Sequence, residues 1–494
     1  MTKQSVLFCI LAAFTLASTA QAQTSNVPSK EVAAQSQAEP VMGPVQEYST
    51  TLSLFPLPPP VSLAPKNAEA PLFTYGLDER VRTEDWNNLM DYSDRANDEH
   101  KQLRMRTRLW GGLSTPHSEV QFNFKLNNEI KKAIYINQRF NNNEVIVDAL
   151  NLQFNKTFIP GVSVSVGRQD WIKNDGFLFM DGSAGDGSRS MYFNMVNIAY
   201  THKKSKLEIV GILDPRREHL FPLIHNQNTN LNEWDEQAVG LYYTDRNHKN
   251  TDVDAFYFLK KEVHDYRAPT NSLFQPDKHI NSIGGRVLQR LPNGLSVKGE
   301  ASLQWNALHA NPAQSLAATS YTAFGGYVTV TKQLTKVKGK PYFMGGYTVL
   351  TGSDKQADGV GFDPLFSRWP KYSELYIYSQ VAEKGVAYST NDRIVMAEAG
   401  FNPLKAVTLR AAWYQHNAFK SIGAFNPTVF GIGSNRGMNI QPRVDVVVSK
   451  NWMGHILYER WIPGNFYLHQ NPAFFFRAEA TYTFRGKVDG PKGN

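Results

Sequence analysis

A strictly alternating segment near the end of the chain places the tightest constraint on its fold. Residues 474–484 read FFFRAEATYTF, with apolar residues at every even position and polar residues at the odd positions from 477 onward. A period of two predicts a β-strand with one apolar and one polar face. In an outer-membrane barrel the apolar face contacts lipid and the polar face lines a watery lumen. A late strand that ends on Phe is typical of such barrels.

The N-terminal residues predict export from the cytoplasm. Lys3 supplies a positive charge, residues 6–17 are mostly apolar, and Ala20-Gln21-Ala22 fits the small-residue pattern of a cleavage site. We therefore predict a signal peptide over residues 1–22. It contains Cys9, the only cysteine, so we expect the mature chain to hold neither a disulfide nor a thiolate metal site.

The rest of the chain divides into an arm and a barrel. Residues 23–70 are rich in Gln, Ser, Ala and Pro, which predicts an extended periplasmic linker. Residues 71–484 contain 18 candidate strands, most of them long enough to cross a bilayer at a tilt, and 485–494 read as a C-terminal tail. The connections alternate between short and long, as periplasmic turns and extracellular loops do. We predict an all-β fold: one transmembrane antiparallel β-barrel of about 18 strands.

Composition agrees with this prediction. The mean hydropathy is −0.40, as expected when only every second residue of a strand faces lipid. The formal net charge of +8 permits an anionic partner without requiring one, and we expect no nucleic-acid partner.

Strand parity places a set of basic residues on the lumen side. In residues 103–113, Leu103, Met105, Leu109 and Leu113 share one face and three arginines share the other, and a charge on the lipid face would cost about 2–4 kcal/mol at the midplane. The basic residues that parity turns inward are Arg80, Arg82, Arg104, Arg106, Arg108, Lys298, Arg410, Arg443, Arg460 and Arg477. Two interpretations remain open. The arginines pair with carboxylates such as Asp78 and Glu479 and only fill the interior, or the unpaired remainder selects anions.

Several segments resemble the alginate-export family of outer-membrane barrels. They are Gly167-Arg168-Gln169-Asp170-Trp171, residues 186–193 (DGSRSMYF), residues 362–366 (FDPLF) and residues 458–464 (YERWIPG). The resemblance implies an 18-stranded monomeric barrel whose arginine-lined pore lets an anionic polyuronate leave the cell. It also implies that Arg168 lines the pore. The parity of Arg168 clashes with that of Val162, Val164 and Val166, so either the strand ends before it or a bulge turns it inward, and the resemblance favours the bulge. The chain lacks the long periplasmic insertion that alginate exporters carry beside the position of Asn451.

The connection 351–391 is unusually long and apolar. It contains the 362–366 motif together with Trp369, Tyr372, Tyr376 and Tyr378. A loop of this length and composition seldom remains free in water. We consider two hypotheses: the loop folds over or into the pore mouth and limits what passes, or it packs on neighbouring loops or lipopolysaccharide.

These observations together predict a passive channel in the outer membrane of a Gram-negative bacterium. We expect export of an alginate-like anionic polysaccharide. The alternatives are a substrate-selective porin for uptake of small anionic or sugar solutes and a secreted soluble carbohydrate-binding protein. No catalytic motif is found, so we expect neither an enzyme nor a cofactor or metal. Expected partners are outer-membrane lipid and lipopolysaccharide, the polysaccharide cargo, and periplasmic export or assembly factors around a monomeric barrel.

Overall fold

A computed structural model describes the barrel and parts of its loops. The described residues are 72–88, 92–95, 99–133, 145–180, 193–218, 220–221, 235–263, 277–310, 317–354, 360–367, 372–374, 390–423 and 427–490. The predicted signal peptide (1–22) and linker (23–70) lie outside them. No helix within the described ranges is long and apolar enough to cross a membrane.

The described chain forms eighteen β-strands. In chain order they are β1 (Leu72–Asn87), β2 (His100–Ser114), β3 (Val120–Ala133), β4 (Val145–Phe154), β5 (Val162–Gln169), β6 (Phe193–His202), β7 (Ser205–Asp214), β8 (Asp235–Asp245), β9 (Thr251–Val263), β10 (Lys278–Leu291), β11 (Leu295–Leu308), β12 (Thr319–Gln333), β13 (Tyr342–Leu350), β14 (Asp392–Leu404), β15 (Val407–Asn417), β16 (Asn435–Val447), β17 (Trp452–Pro463) and β18 (Ala473–Asp489).

Every strand pairs antiparallel with the next, and β1 also pairs with β18, so the sheet closes on itself. The closing pairing runs from Leu72 opposite Asp489 to Asn87 opposite Phe474. Closure satisfies the backbone hydrogen bonds that a sheet edge would leave open in lipid. The predicted fold, a single antiparallel barrel of 18 strands, is confirmed.

Side chains alternate between the two sides of the barrel as the sequence pattern requires. On β2, Met105, Leu109 and Leu113 point outward and are 36–53% exposed, whereas Arg106 and Arg108 between Met105 and Leu109 are buried. The outer face is therefore the apolar one, and the polar residues face the interior.

Two strand boundaries differ from the prediction. The last strand continues through the start of the predicted 485–494 tail to Asp489, because Leu72 at the beginning of β1 pairs with that residue. The first strand continues to Asn87 rather than ending near residue 82. The extension matters because it brings Glu84 into the barrel wall, where it is fully buried.

Candidate functional site in the barrel lumen

Six arginines on three adjacent strands form one side of the barrel interior, which we call the basic wall. They are Arg80 and Arg82 on β1, Arg104, Arg106 and Arg108 on β2, and Arg477 on β18. The β1–β2 register places Arg80 opposite Arg106 and Arg82 opposite Arg104. Like charges directly opposite each other in a sheet destabilise it, so this register requires carboxylates between the guanidinium groups.

Glu84 provides the central carboxylate of the basic wall. Its Oε1 lies 2.8 Å from Nη2 of Arg477 and 3.2 Å from Nη1 of Arg82, and its Oε2 lies 3.2 Å from Nη1 of Arg104. Gln102 donates a further hydrogen bond to Oε2 at 2.5 Å. One fully buried carboxylate thus compensates three guanidinium groups.

Two further glutamates continue the network on either side. Glu129 on β3 lies 2.8 Å from Nη2 of Arg80 and 3.1 Å from Nε of Arg104. Glu479 on β18 lies 2.5 Å from Nη2 of Arg82. Both carboxylates are largely buried. Because these carboxylates lie between the guanidinium groups, arginines can occupy opposite positions on neighbouring strands.

Asp78 compensates the periplasmic end of the basic wall. Its Oδ1 accepts a hydrogen bond from Nε of Arg108 at 2.8 Å and lies 4.0 Å from Nη2 of Arg106. Within the described residues, the six guanidinium groups therefore face five carboxylates, the fifth being Glu374 from an extracellular loop. This arrangement favours the interpretation in which the arginines are paired over the one in which they are free.

The opposite side of the interior carries a cluster of buried aromatic residues and two loop segments that fold inward. The first segment, residues 171–180, places Trp171, Phe177, Leu178 and Phe179 against inward-facing residues of β6 to β12. Phe179 packs on Phe258 with ring centroids 4.5 Å apart. We call this buried group the aromatic wall; it consists mainly of Trp171, Phe177, Phe179, Phe193, Tyr242, Phe256 and Phe258.

The second segment, residues 360–367, belongs to the 351–391 connection and lies on the aromatic wall. Asp363 binds Lys278 of β10 at 2.7 Å, and its backbone exchanges hydrogen bonds with the side chain of Gln304 on β11 at 2.6 and 2.9 Å. Lys260 of β9 donates to the carbonyl of Leu365. Burial alone would raise the pKa of Asp363, but Lys278 and Lys260 outweigh it and hold that pKa below its usual value.

The same connection reaches the basic wall farther along the chain. The carbonyl of Tyr372 accepts hydrogen bonds from Asn439 at 2.9 Å and from Gln441 at 3.2 Å, both on β16. The Glu374 backbone N–H donates to Glu459 of β17 at 2.8 Å, and its carboxylate lies 3.1 Å from Nη2 of Arg477. The loop therefore has attachments on β9 to β12 and on β16 to β18.

The predicted infolding of 351–391 is thus observed for residues 360–367 and 372–374, which are buried inside the barrel. Trp369, Tyr376 and Tyr378, which the sequence also highlighted, lie outside the described residues. Whether the loop limits what passes remains a prediction.

Three other predicted lumen residues are also paired. Lys298 on β11 lies 2.7 Å from Asp175 of the first infolded segment. Arg410 on β15 and Arg443 on β16 share Asp445, at 3.2 and 2.7 Å. Their role in a solute path stays a prediction, because their positions alone do not test it.

Arg460 lies on the outer face, contrary to the parity prediction. Adjacent residues of a strand face opposite sides, and Glu459 occupies the interior, where it is fully buried and binds the 372–374 segment. Arg460 is exposed beside Tyr458 and Ile462 near the extracellular end of β17. A long side chain at that level can extend its charge to the membrane interface.

Arg168 is fully enclosed at the end of β5. Alternation breaks at Gly167, whose φ of +117° suits glycine, and the guanidinium then contacts Glu218 at 2.6 Å, Asn194 at 2.9 Å and the ring of Phe221. With no exposed surface, the side chain is held by protein groups rather than offered to a solute, in contrast to the pore-lining role that the resemblance implies.

Sequence reasoning missed the carboxylates that organise the interior. Glu84, Glu129, Asp363, Glu374 and Glu459 lay in predicted loops or were not assigned to the lumen. Continuing the period-of-two pattern of β1 beyond Arg82 would have placed Glu84 on the inner face. Within the described ranges, no group of three or more His, Cys, Asp or Glu residues is arranged to hold a metal ion.

Comparisons with known proteins identify the fold. No protein-family model matches the chain, and no curated protein matches it in sequence. The structure is similar to Pseudomonas aeruginosa OccK5 (OpdH), with a TM-score of 0.51 and 9% identity over 84% of this chain and 98% of that one. It is also similar to P. aeruginosa OpdK, solved with vanillate, with a TM-score of 0.50 and 11% identity over 83% and 99%.

A third solved structure, P. aeruginosa OccK8 (OprE), matches with a TM-score of 0.50 and 10% identity over 84% of this chain and 98% of that one. These neighbours are outer-membrane porins, and the likeness establishes a shared fold. The predicted outer-membrane location, which this barrel fits, is confirmed.

Proposed function

We propose that this chain is a passive, selective porin for the uptake of small solutes that carry a carboxylate. The observation that carries the proposal is the 351–391 connection, which is attached inside the barrel to both the aromatic wall and the basic wall. A segment anchored in this way occupies part of the cross-section and restricts the path to narrow solutes.

The basic wall places charge beside the path without presenting free arginines. Its guanidinium groups are enclosed and paired with carboxylates, so a solute meets a nearly neutral polar side of the interior. Such a side attracts a carboxylate only weakly, so the solute can leave again, as permeation requires.

The structural neighbours support this proposal. They are substrate-specific porins for small solutes, and OpdK was crystallised with vanillate, an aromatic carboxylate. An aromatic wall on one side of the interior and a basic wall on the other correspond to the apolar ring and the charge of such a molecule. This likeness favours uptake of small solutes over the polysaccharide export that the sequence resemblance implied.

The test is permeation into liposomes that contain the refolded protein. We expect benzoate-sized monocarboxylates to enter faster than neutral sugars of similar size, whereas oligo-uronates of several residues neither enter nor block. A matched variant, Asp363→Asn, removes one loop attachment and should weaken the discrimination between solutes. Entry or block by oligo-uronates, with no preference for small carboxylates, would contradict the proposal and support export.

A further inference from the structure

Three neighbouring turns on one side of the barrel carry a run of exposed lysines. The turns connect β12 to β13 (334–341), β14 to β15 (405–406) and β16 to β17 (448–451). They lie at the end of the barrel where β1 begins and β18 ends, the end of the short periplasmic turns. We call their exposed basic residues the lysine rim: Lys336, Lys338, Lys340, Lys405 and Lys450.

Backbone hydrogen bonds join the three turns into one ledge. The N–H of Asn402, near the end of β14, donates to the carbonyl of Gly339 at 2.8 Å. The N–H of Val447, at the end of β16, donates to the carbonyl of Ala406 at 2.8 Å. The backbone that carries the lysine rim is therefore held in place by the neighbouring strands.

Carboxylates do not compensate the lysine rim. The three turns contain neither Asp nor Glu. Within the part of the chain that the structure describes, none of the five ammonium groups forms an ion pair. On other periplasmic turns basic residues are paired, as Lys156 is with Glu119 at 2.5 Å and Arg246 with Asp254 at 2.8 Å. The lysine rim thus places five positive charges side by side, a field that attracts an anionic surface.

Exposed apolar side chains accompany the lysines on the same turns. Val337 in the first turn is 49% exposed, Leu404 beside the second is 65% exposed, and Val448 in the third is 72% exposed. The turn between β6 and β7 also has two exposed lysines, Lys203 and Lys204, but no apolar residue. Basic and apolar side chains on one surface are typical of a membrane interface, where the apolar groups enter the acyl boundary and the cations stay among the head groups.

The lysine rim lies directly beyond the apolar band of the outer face. On β12, Val328 and Val330 point outward and are 46% and 45% exposed, and Lys332 follows on the same face two residues before the first turn begins. Phe343 on β13 and Trp452 on β17 are 55% and 49% exposed at this end, as aromatic residues of a membrane interface are. The turns therefore begin where the hydrocarbon region ends, at the level of the lipid head groups.

We propose that the lysine rim binds the phosphate groups of anionic phospholipids in the periplasmic leaflet of the outer membrane. Each ammonium is a compact charge that pairs with a phosphate oxygen, while Val337, Leu404 and Val448 contact the adjoining part of the acyl chains. A cell-wall polymer or an acidic soluble protein would match the charge but would leave no lipid beside these apolar side chains. The proposal does not depend on which solute the pore admits.

The first test is lipid competition followed by native mass spectrometry. The refolded protein is placed in nanodiscs with equal amounts of phosphatidylglycerol and phosphatidylethanolamine, and the lipids that remain bound are counted. The wild type should retain phosphatidylglycerol preferentially, and Lys338→Gln/Lys405→Gln should lower that preference about tenfold. The matched control, Lys203→Gln/Lys204→Gln, removes the same charge from a turn without apolar residues and should lower it much less. No preference in the wild type, or an equal loss in both variants, would overturn the proposal.

The second test distinguishes lipid from a soluble occupant. Val337→Cys, in a Cys9→Ser background so that it is the only cysteine, receives a nitroxide label in vesicles that contain phosphatidylglycerol. The label should be more accessible to oxygen than to a water-soluble nickel chelate. His248→Cys, on the exposed turn between β8 and β9, is the control and should favour the chelate. Equal access of the chelate to both labels, in barrels folded by heat-modifiable mobility, would show that the turn faces water and would overturn the proposal in favour of a soluble or cell-wall partner.

Discussion

The two walls of the lumen reach complete burial by opposite physical means. The basic wall excludes water from six guanidinium groups by surrounding them with carboxylates, and Arg82 and Arg477 have no exposed surface. The aromatic wall excludes water by stacking rings, and Phe179 and Phe258 are equally enclosed. Ion pairs require every partner, because one missing charge leaves another buried and uncompensated. The loss of a ring leaves no uncompensated charge, only a cavity whose cost depends on how far the neighbours collapse into it.

The basic wall should therefore be the more fragile under single substitutions. Glu84→Gln leaves three guanidinium groups short of a carboxylate, and we expect the free energy of unfolding to fall by about 3–5 kcal/mol. Urea unfolding in lipid vesicles measures the loss. The double variant Glu84→Gln/Arg104→Gln should recover part of the lost free energy, because it removes one of the three guanidinium groups that lack a carboxylate in the single variant. Strictly additive losses would show that Glu84 does not couple to Arg104.

The aromatic wall should respond with a smaller loss and a different consequence. Phe179→Ala removes a ring that packs on Trp171, Tyr242, Phe256 and Phe258, and we expect a cost of about 3 kcal/mol. Because Phe179 belongs to an infolded segment, its loosening should raise single-channel conductance without changing ion selectivity. Phe158→Ala, at a fully exposed turn position, is the control. A change in ion selectivity in Phe179→Ala would contradict the assignment of ion selectivity to the basic wall alone.

Ion selectivity should depend on the charge count of the basic wall. Among the described residues, the carboxylates of the basic wall nearly balance its guanidinium groups, so the wild type should prefer anions only weakly. Replacing Arg104, Arg106 and Arg108 by Gln removes three positive charges, leaves the wall net negative and should reverse the sign of the reversal potential under a salt gradient. A strong anion preference in the wild type would mean that the pairing does not neutralise the path.

An exposed ion pair should contribute least. Lys156 hydrogen-bonds Glu119 on the periplasmic turns and lowers the pKa of that carboxyl. Because this pKa is lower in the folded than in the unfolded chain, the ion pair stabilises the fold above the usual pKa of Glu. That stability is lost as the pH falls through the lowered pKa. Because the pair is exposed and screened, Glu119→Gln should leave the unfolding midpoint unchanged at pH 7. A loss as large as that of Glu84→Gln would show that burial is not what makes the basic wall sensitive.

Sequence alone predicted the fold well because the barrel follows from local alternation. The period of two in β2 and β18, together with the alternation of short and long connections, needs no knowledge of distant contacts. The same reasoning placed Arg104, Arg106 and Arg108 on the inner face, where the structure also has them. It was wrong for Arg460, because β17 carries apolar residues on both faces and only the loop contact of Glu459 decides between them.

The pairing within the lumen could not be read from local pattern. Glu84 contacts Arg477 across nearly the whole length of the chain, and Asp363 contacts Lys278 through a loop that folds inward. Such contacts depend on barrel closure and on loop placement, neither of which leaves a periodic signal. The sequence could therefore indicate which basic residues face inward but not whether they were compensated.

The most direct test of the account is the single-channel conductance of the protein with residues 355–385 deleted, compared with the wild type in the same planar bilayer. Because this connection is attached to both walls, we expect it to narrow the lumen. The conductance of the deletion variant should then be several-fold higher, and the discrimination between small carboxylates and neutral sugars should be lost. An unchanged conductance, with the barrel folded by heat-modifiable mobility, would contradict a narrowing role for the connection.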